Sequence, residues 1–184
     1  MNQSSTPISF TEIPSYDGKD YRSGNVVQRF VDGLGYRYYW VTEGLTADDL
    51  RYKPSDDSRT TFETIRHLYG LSETILNAAK NEANIRPQNF DSLSFEQLRS
   101  GTLANLQQAS ALYENKTEKD ISELKVIFEF NGNRTEFPFW NMMNGPISDA
   151  IYHTGQVVSY RRASGNPINP KVNVFMGTDP MAVE

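Results

Sequence analysis

Apolar residues recur at steps of three and four in four separate stretches of this 184-residue chain. This spacing places them on one face of an α-helix, so each stretch predicts a helix that buries that face against others. The first helix runs from Val26 to a stop at Gly44, with Gly33 and Gly35 inside it. Each internal glycine costs about 1 kcal/mol relative to alanine, which indicates a close backbone approach or a bend. Its periodic positions are Val27, Phe30, Val31, Leu34, Tyr38 and Val41.

The second and third predicted helices begin at capping boxes, in which a Ser or Thr and a Glu or Gln three residues later satisfy each other's backbone amides. Thr60 and Glu63 begin the second helix, which spans about residues 60–81, and Ser94 and Gln97 begin the third, which spans about 94–115. The predicted buried positions are Ile65, Leu68, Ser72, Ile75 and Leu76 in the second helix and Phe95, Leu98, Thr102, Leu106, Ala109 and Tyr113 in the third.

A β-hairpin is predicted before the last helix. Two short strand-like runs, 124–130 and 133–139, flank the turn dipeptide Asn131-Gly132. The last helix then ends at Gly165, and Pro146 lies either in its first turn or at a kink. Residues 1–23 and 166–184 contain prolines and show no helical period, so they predict irregular arms, the first of them lying on the body.

These elements predict an all-α protein: a four-helix bundle with a short β-hairpin before the last helix and irregular N- and C-terminal arms. The length favours a single domain over 1–184, with the bundle core at about 25–165. The hydrophobic share is only 38%, so ten Phe, ten Tyr and two Trp supply much of the core. The aromatic run Tyr36, Tyr38, Tyr39 and Trp40 either lines a ligand pocket or forms core and a subunit interface.

Charge and composition exclude several classes of function. A net charge of -5 provides no electrostatic surface for nucleic acid or an anionic membrane. With no signal-peptide pattern and no stretch of 18 apolar residues, we expect a cytoplasmic protein with no membrane partner. The absence of cysteine excludes disulfides, thiolate metal sites and a cysteine nucleophile. Because the chain has two histidines, a three-histidine metal site is excluded and any metal ion needs oxygen ligands.

One group of residues has the spacing of a metal site. His67 lies within the second helix, and Asp149 and His153 lie four residues apart in the last helix, on one face about one turn apart. Helical bundles build metal sites from side chains on facing helices. Two imidazoles and one carboxylate leave coordination positions open, as in catalytic sites. The alternative is that His67 is an ordinary core or surface residue and that Asp149 stabilises a helix N-terminus.

Other polar residues each allow two interpretations. Arg161 and Arg162 either bind an anionic group of a substrate or stabilise a helix C-terminus. Glu73 is either a further ligand or base, or a solvent-facing residue. Gln156 lies three residues after His153, where its amide can hydrogen-bond to the imidazole and support it as a ligand.

The sequence at these positions resembles the DinB-like (YfiT-like) family of metal-binding four-helix bundles. The segment Thr64-Ile-Arg-His67-Leu is similar to the family segment that carries the first histidine. The segment Asp149-Ala-Ile-Tyr-His153-Thr-Gly-Gln-Val, followed by Arg161 and Gly165-Asn-Pro, is similar to the family's H-x-x-x-H-x-G-Q segment and helix end. The resemblance covers about residues 25–168, and Asp149 stands where the family has a histidine.

The resemblance implies that His67, Asp149 and His153 hold a divalent metal ion: zinc, nickel, iron, manganese or cobalt. The carboxylate shifts the preference toward iron, manganese and cobalt. Known members of the family include S-transferases and isomerases that use low-molecular-weight thiols. The leading hypothesis is therefore a metal-dependent thiol transferase or hydrolase that acts on an electrophilic small molecule.

Two alternatives remain open from the sequence. One is a non-catalytic metal- or ligand-binding bundle that serves as a stress-response module, and the other is a structural dimer without metal. The resemblance also implies a homodimer through the aromatic face of the first helix. Because the chain has no cysteine, a thiol that reacts here comes from outside it.

Overall fold

The structure is a computed structural model that describes residues 9–15, 18 and 20–182. The described residues are mostly helical and include one three-stranded sheet. The helices are α1 Ser23–Thr42, α2 Ala47–Arg51, α3 Thr61–Lys80, α4 Phe95–Tyr113, α5 Glu118–Glu123, α6 Trp140–Met142 and α7 Ser148–Ser164, with a π-helical segment at Met143–Ile147. The strands are β1 Ala83–Arg86, β2 Lys125–Phe130 and β3 Asn133–Pro138.

Four long helices enclose the core. Helix α1 packs against α4 and α7, and α3 packs against the same two helices. The periodic residues predicted for α3 are all buried, and those predicted for α4 are buried except for Phe95, which is partly exposed. Phe30 of α1 is the main exception, because its side chain is 48% exposed. Fully buried side chains from the four helices include Val31, Tyr38, Ile65, Ile75, Leu98, Leu106 and Val157.

Both predicted capping boxes are present. The Thr60 hydroxyl accepts from the backbone N–H of Glu63 at 3.1 Å, and the Glu63 carboxylate accepts from the backbone N–H of Thr60 at 2.8 Å. Ser94 and Gln97 form the same reciprocal pair at the start of α4. Helix α3 ends at a left-handed residue, Asn81, with φ of 58°. The two boxes fix where α3 and α4 begin, and hence which residues face the core.

The predicted hairpin is confirmed, but it belongs to a larger sheet. Strands β2 and β3 pair antiparallel about Asn131 and Gly132, whose φ values of 48° and 78° suit a tight hairpin turn. Strand β1, which the sequence did not indicate, pairs in parallel with β2. Its buried Asn84 donates to the carbonyl of Ile127 at 2.9 Å and accepts from Asn77 of α3 at 3.0 Å, so β1 joins the sheet to α3.

Pro146 lies inside the π-helical segment that leads into α7, rather than in the first turn of the helix. A proline has no N–H to donate and its ring crowds the preceding turn. The wider π turn accommodates this defect without ending the helical path, so α6, the π segment and α7 follow one another directly from Trp140 to Ser164. Of the two interpretations of Pro146, the structure shows the one in which it interrupts regular α geometry.

The two arms meet on the body of the protein. Phe10 is 1% exposed and its ring lies against Gly35 of α1. The indole N–H of Trp40 donates to the carbonyl of Thr11 at 3.0 Å, and the backbone N–H of Ile13 donates to the carbonyl of Gly177 at 2.7 Å. The expectation that the N-terminal arm lies on the body therefore holds for these residues. Its remaining positions 1–8, 16, 17 and 19, and positions 183 and 184 of the C-terminal arm, lie outside the described residues.

No helix in the described part of the chain has the length and apolar character needed to cross a lipid bilayer.

The Phe10 contact explains one of the two glycines in α1 and yields a prediction. A Cβ built on Gly35 would lie 2.3 Å from the Phe10 ring, whereas one on Gly33 would meet only the end of the Arg37 side chain, at 3.2 Å. We expect Gly35→Ala to lower the free energy of unfolding by about 2 kcal/mol through overpacking. Gly33→Ala is the matched control and should leave the free energy of unfolding unchanged or raise it by up to about 1 kcal/mol. Chemical denaturation measures both, and equal effects of the two variants would contradict the contact.

Candidate metal centre

Helix α3 brings His67 to one side of the core. The capping box at Thr60 sets the start of the helix, and the buried Ile65 and Leu68 flank His67 in sequence and face inward. His67 is therefore placed between the buried and exposed faces, with 33% of its side chain exposed. This position suits a ligand, since its ring is held by packing on one side and is accessible on the other.

Helix α7 supplies the other two residues of the group. Asp149 lies in its first turn and His153 one turn later, on the same face. The side chain of Asp149 is 42% exposed and that of His153 is 13% exposed. Helices α3 and α7 pack against each other, so their side chains meet across the contact.

The three side chains converge on one point. His67 Nε2 lies 3.2 Å from one carboxylate oxygen of Asp149, and His153 Nε2 lies 3.3 Å from the other. The two imidazole rings are 4.7 Å apart between centroids and nearly perpendicular, at 87°. One ligand atom from each residue lies within 4.8 Å of the other two. These separations bring all three groups within reach of a single ion.

The hydrogen bonds around His153 prepare it as a ligand. Gln156 Oε1 lies 2.7 Å from His153 Nδ1 and accepts a hydrogen bond from it. A neutral His153 then carries an unprotonated Nε2, which faces an oxygen of Asp149 that is also an acceptor. Two facing acceptors are stable only with a proton or a cation between them. The donor set of two imidazoles and one carboxylate thus fits a divalent ion.

The environment of His67 also favours the uncharged imidazole that binds metals. Burial lowers the pKa of His67, the hydrogen bond to Asp149 opposes that shift, and the positive charge of Arg59 adds to the lowering. The net result is a pKa below the usual value for histidine. The uncharged imidazole is therefore favoured at neutral pH.

A cavity of about 730 Å³ lies beside His67. One wall is the outer face of α3 and the other is the segment 86–91 that follows β1. The lining is mixed, with charged residues such as Arg59 and Glu63 and apolar residues such as Leu71 and Phe90. Of the three residues of the group, His67 lines this cavity, so a small molecule in the cavity would contact the group through His67.

Comparison with known proteins bears on the fold alone. No family model and no curated protein matches the chain. Among solved structures, it is similar to the crystal structure of a DinB-like protein, YjoA, from Bacillus subtilis, with a TM-score of 0.55. The match covers 77% of this chain and 96% of that chain at 17% sequence identity. This chain has a DinB-like fold. The resemblance seen in the sequence is thereby supported at the level of architecture.

Other candidate residues do not join the group in this DinB-like fold. Glu73 accepts a hydrogen bond from Gln88 at 2.9 Å and stabilises the segment after β1. Arg161 is 4% exposed and donates to the carbonyl oxygens of Val41 and Glu43 at 3.1 and 2.7 Å. It thus stabilises the C-terminus of α1, and its Nε also donates to the carbonyl of Asn166, directly after the end of its own helix, at 2.7 Å. The interpretation of Arg161 as a residue that stabilises a helix end is therefore the one that the structure supports. Arg162 is exposed.

The aromatic run of α1 forms core rather than a ligand pocket. Tyr36 and Tyr38 are completely buried and Trp40 is 6% exposed, while Tyr39 packs edge-on against Trp40. The hydroxyl of Tyr36 donates to the carbonyl of Thr178 at 2.9 Å, so these rings also hold the C-terminal arm. The burial of Tyr36, Tyr38 and Trp40 leaves these rings unavailable for contact with another chain.

The sequence did not reveal the wall of the cavity. Arg59 lies directly before the predicted second helix and Arg66 lies within it, but nothing in their spacing distinguishes them from surface charges. The segment 86–91 reaches α3 because β1 pairs with β2, about 40 residues later in the chain. The one local signal was the polar loop before the capping box at Thr60, which places Arg59 next to the start of α3.

The contact between Gln156 and His153 leads to a prediction about metal affinity. Gln156→Ala removes the acceptor for Nδ1, and losing such a supporting hydrogen bond lowers metal affinity about 10- to 100-fold. Gln156→Glu keeps an acceptor and should stay close to wild type. Ser159→Ala, on the same helix and away from the group, is the control. Cobalt(II) titration measures the dissociation constants, and an unchanged value for Gln156→Ala would show that the contact does not support the ligand.

Proposed function

We propose that this chain, as a single domain built on a four-helix bundle of DinB-like type, is a divalent-metal-dependent enzyme. His67, Asp149 and His153 hold the ion, and a small thiol or water attacks an electrophilic small molecule beside it. The observation that carries the proposal is the convergence of both histidines of the chain on the two oxygens of one carboxylate, next to a cavity. Two imidazoles and one carboxylate leave further coordination positions for a reactant.

The chemistry follows from the type of site. A divalent ion bound there supplies Lewis acidity, which lowers the pKa of water or a thiol so that the nucleophilic form is available at neutral pH. The residues of the chain do the positioning. Gln156 keeps His153 in one orientation through the 2.7 Å contact to Nδ1, and Asp149 spans the gap between helices α3 and α7. The cavity beside His67 receives the electrophile.

The absence of cysteine means that the chain has no thiol nucleophile of its own. A transferase reaction here therefore uses a low-molecular-weight thiol as a second substrate. A hydrolase reaction uses water instead. Both need the same open positions at the ion, and the carboxylate ligand favours iron, manganese or cobalt somewhat over zinc and nickel.

Metal analysis tests the proposal directly. Protein purified without a polyhistidine tag is expected to hold about one divalent ion per chain, and His67→Ala and His153→Ala to reduce uptake at least tenfold. Glu73→Ala is the matched control, because it removes an acid of α3 that does not join the group. Metal-loaded protein is then assayed for thiol conjugation and hydrolysis with a panel of small electrophiles, before and after chelation. Absence of metal, together with unchanged uptake in His153→Ala, would refute the proposal.

The same experiment separates the alternatives. A non-catalytic metal-binding bundle of a stress response would lose thermal stability on chelation and show no turnover across the panel. A structural protein without metal would be unaffected by EDTA in both stability and activity. Only the enzyme is expected to combine a fall in melting temperature with a loss of turnover.

We also infer that two copies pair through α1. Val26 and Phe30 are 38% and 48% exposed, and they line a shallow hollow of about 400 Å³ together with Ile151 of α7. Exposed apolar residues grouped in this way are typical of an interface. The pairing implied by the resemblance therefore uses this surface rather than the buried tyrosines of α1.

The mass in solution tests the pairing. Light scattering is expected to give about twice the 20.9 kDa chain mass, and Phe30→Glu to give the monomer because it places a charge in an apolar contact. Phe175→Glu changes a ring that is 91% exposed in the C-terminal arm and is the control. A monomeric mass for the unmodified protein at micromolar concentration would overturn the pairing.

A further inference from the structure

The cavity beside His67 contains three arginines, and two of them already have partners. Arg66 forms an ion pair with Asp91. Arg86 donates to Thr74 Oγ1 at 3.2 Å and to Gln88, and its guanidinium lies 5.5 Å from the centre of the Phe128 ring. These contacts hold the segment after β1 against α3, so the two guanidinium groups are occupied in building the wall.

Arg59 differs from the other two. Within the residues that the structure describes, its guanidinium makes no hydrogen bond or ion pair with the protein. It lines the same cavity as His67, and its charge is close enough to act on the imidazole. The nearby carboxylate of Glu63 is engaged by the backbone N–H and hydroxyl of Thr60 at 2.8 and 3.0 Å. Arg59 therefore presents a free, planar set of donors to the cavity.

The charge of the lining indicates which anion fits. Arg59, Arg66 and Arg86 face two carboxylates, Glu63 and Asp91, so the cavity has an excess of one positive charge. The single negative charge of a carboxylate balances that excess. A phosphate dianion carries more negative charge than the excess and would be repelled by Glu63 and Asp91. This local excess contrasts with the net charge of -5 of the whole chain.

The remaining lining suits the body of an organic acid. Leu71, Pro87 and Phe90 supply apolar surface, and Gly70 lines the cavity beside the Phe90 ring without adding a side chain. The ring of Phe90 is held edge-on by Tyr69, with centroids 4.9 Å apart, so this surface is already formed. Apolar walls with a few placed polar groups are typical of small-molecule sites.

We propose that this cavity binds a small carboxylic acid whose carboxylate pairs with Arg59 and whose apolar part lies against Phe90 and Leu71. Its reactive group then lies toward His67 and the three-residue group. The step from ligand to substrate rests on the proposed function, because the acid would then be the electrophile of the proposed enzyme. The binding of the acid itself does not require a metal ion, and this difference allows the two ideas to be tested separately.

Paired probes test the assignment: 3-phenylpropionate and its uncharged counterpart 3-phenyl-1-propanol. Calorimetry on the metal-free protein at low ionic strength is expected to show the acid binding about tenfold more tightly than the alcohol. Arg59→Gln should remove this difference, and Arg59→Lys should keep part of it because the charge remains. Arg162→Gln, an exposed arginine at the end of α7, is the control and should keep all of it. Salt at 0.5 M should reduce the difference in the unmodified protein.

Several results would overturn the proposal. They are equal affinities for acid and alcohol, no binding of either probe, or a preference for the acid that survives Arg59→Gln. The cobalt(II)-loaded protein gives one more: if the acid alters the visible spectrum of cobalt and Arg59→Gln has no effect, the carboxylate is a metal ligand and not a partner of Arg59. Failure to take up cobalt, with the acid preference intact in the metal-free protein, would refute the metal-dependent enzyme and leave the carboxylate subsite supported.

Discussion

The carboxylate of Asp149 lies between two imidazoles from different helices, and the arrangement of the site depends on this convergence. Each oxygen faces one histidine, at 3.2 and 3.3 Å, so α3 and α7 must pack side by side with a fixed rotation about their axes. A shift of one residue along α7 would rotate its side chains by roughly 100° and carry the carboxylate away from His67. The rotation of both helices is therefore as important as the identity of the three residues.

Separate features of the sequence fix the two rotations. In α3 the capping box at Thr60 sets the first turn and the buried face holds the helix against the core. In α7 the π-helical segment around Pro146 inserts a wider turn directly before Asp149, and at the far end the buried Arg161 binds the carbonyl groups that end α1. Helix α7 is thus held at both ends, and the site lies near the end where regular α geometry is interrupted.

Local patterns predicted the parts of this structure that local interactions form. The long helices, both capping boxes and the hairpin turn at Asn131 and Gly132 follow from residues a few positions apart. The spacing of Asp149 and His153 is likewise local, so their shared face could be expected. The grouping of His67 with Asp149, 82 positions later, was a hypothesis from the general build of helical bundles that the resemblance then favoured, since no periodicity reports on a contact of that range.

The parts that the sequence did not predict depend on contacts between distant segments. Strand β1 has one fully buried residue, Asn84, and is ordered by pairing with β2 and by side-chain bonds to α3. Because β1 was missed, the segment after it and the cavity that it closes were missed as well. Of the two interpretations of Arg161, the structure supports the one at a helix end, but its contacts with the carbonyl groups that end α1 depend on tertiary packing.

At the proposed metal centre, the carboxylate of Asp149, in place of the histidine that the sequence resemblance implies, would change the charge as well as one ligand. A divalent ion with two neutral imidazoles and one carboxylate keeps one positive charge, where a third imidazole would leave two. The weaker positive charge makes the ion a milder Lewis acid and binds an added anion less strongly. In this chain the adjoining cavity supplies a further excess of one positive charge through its arginines. In the proposed reaction the two neighbouring positive charges would suit an anionic nucleophile and an electrophile that carries a carboxylate, and the chain itself supplies neither reactant.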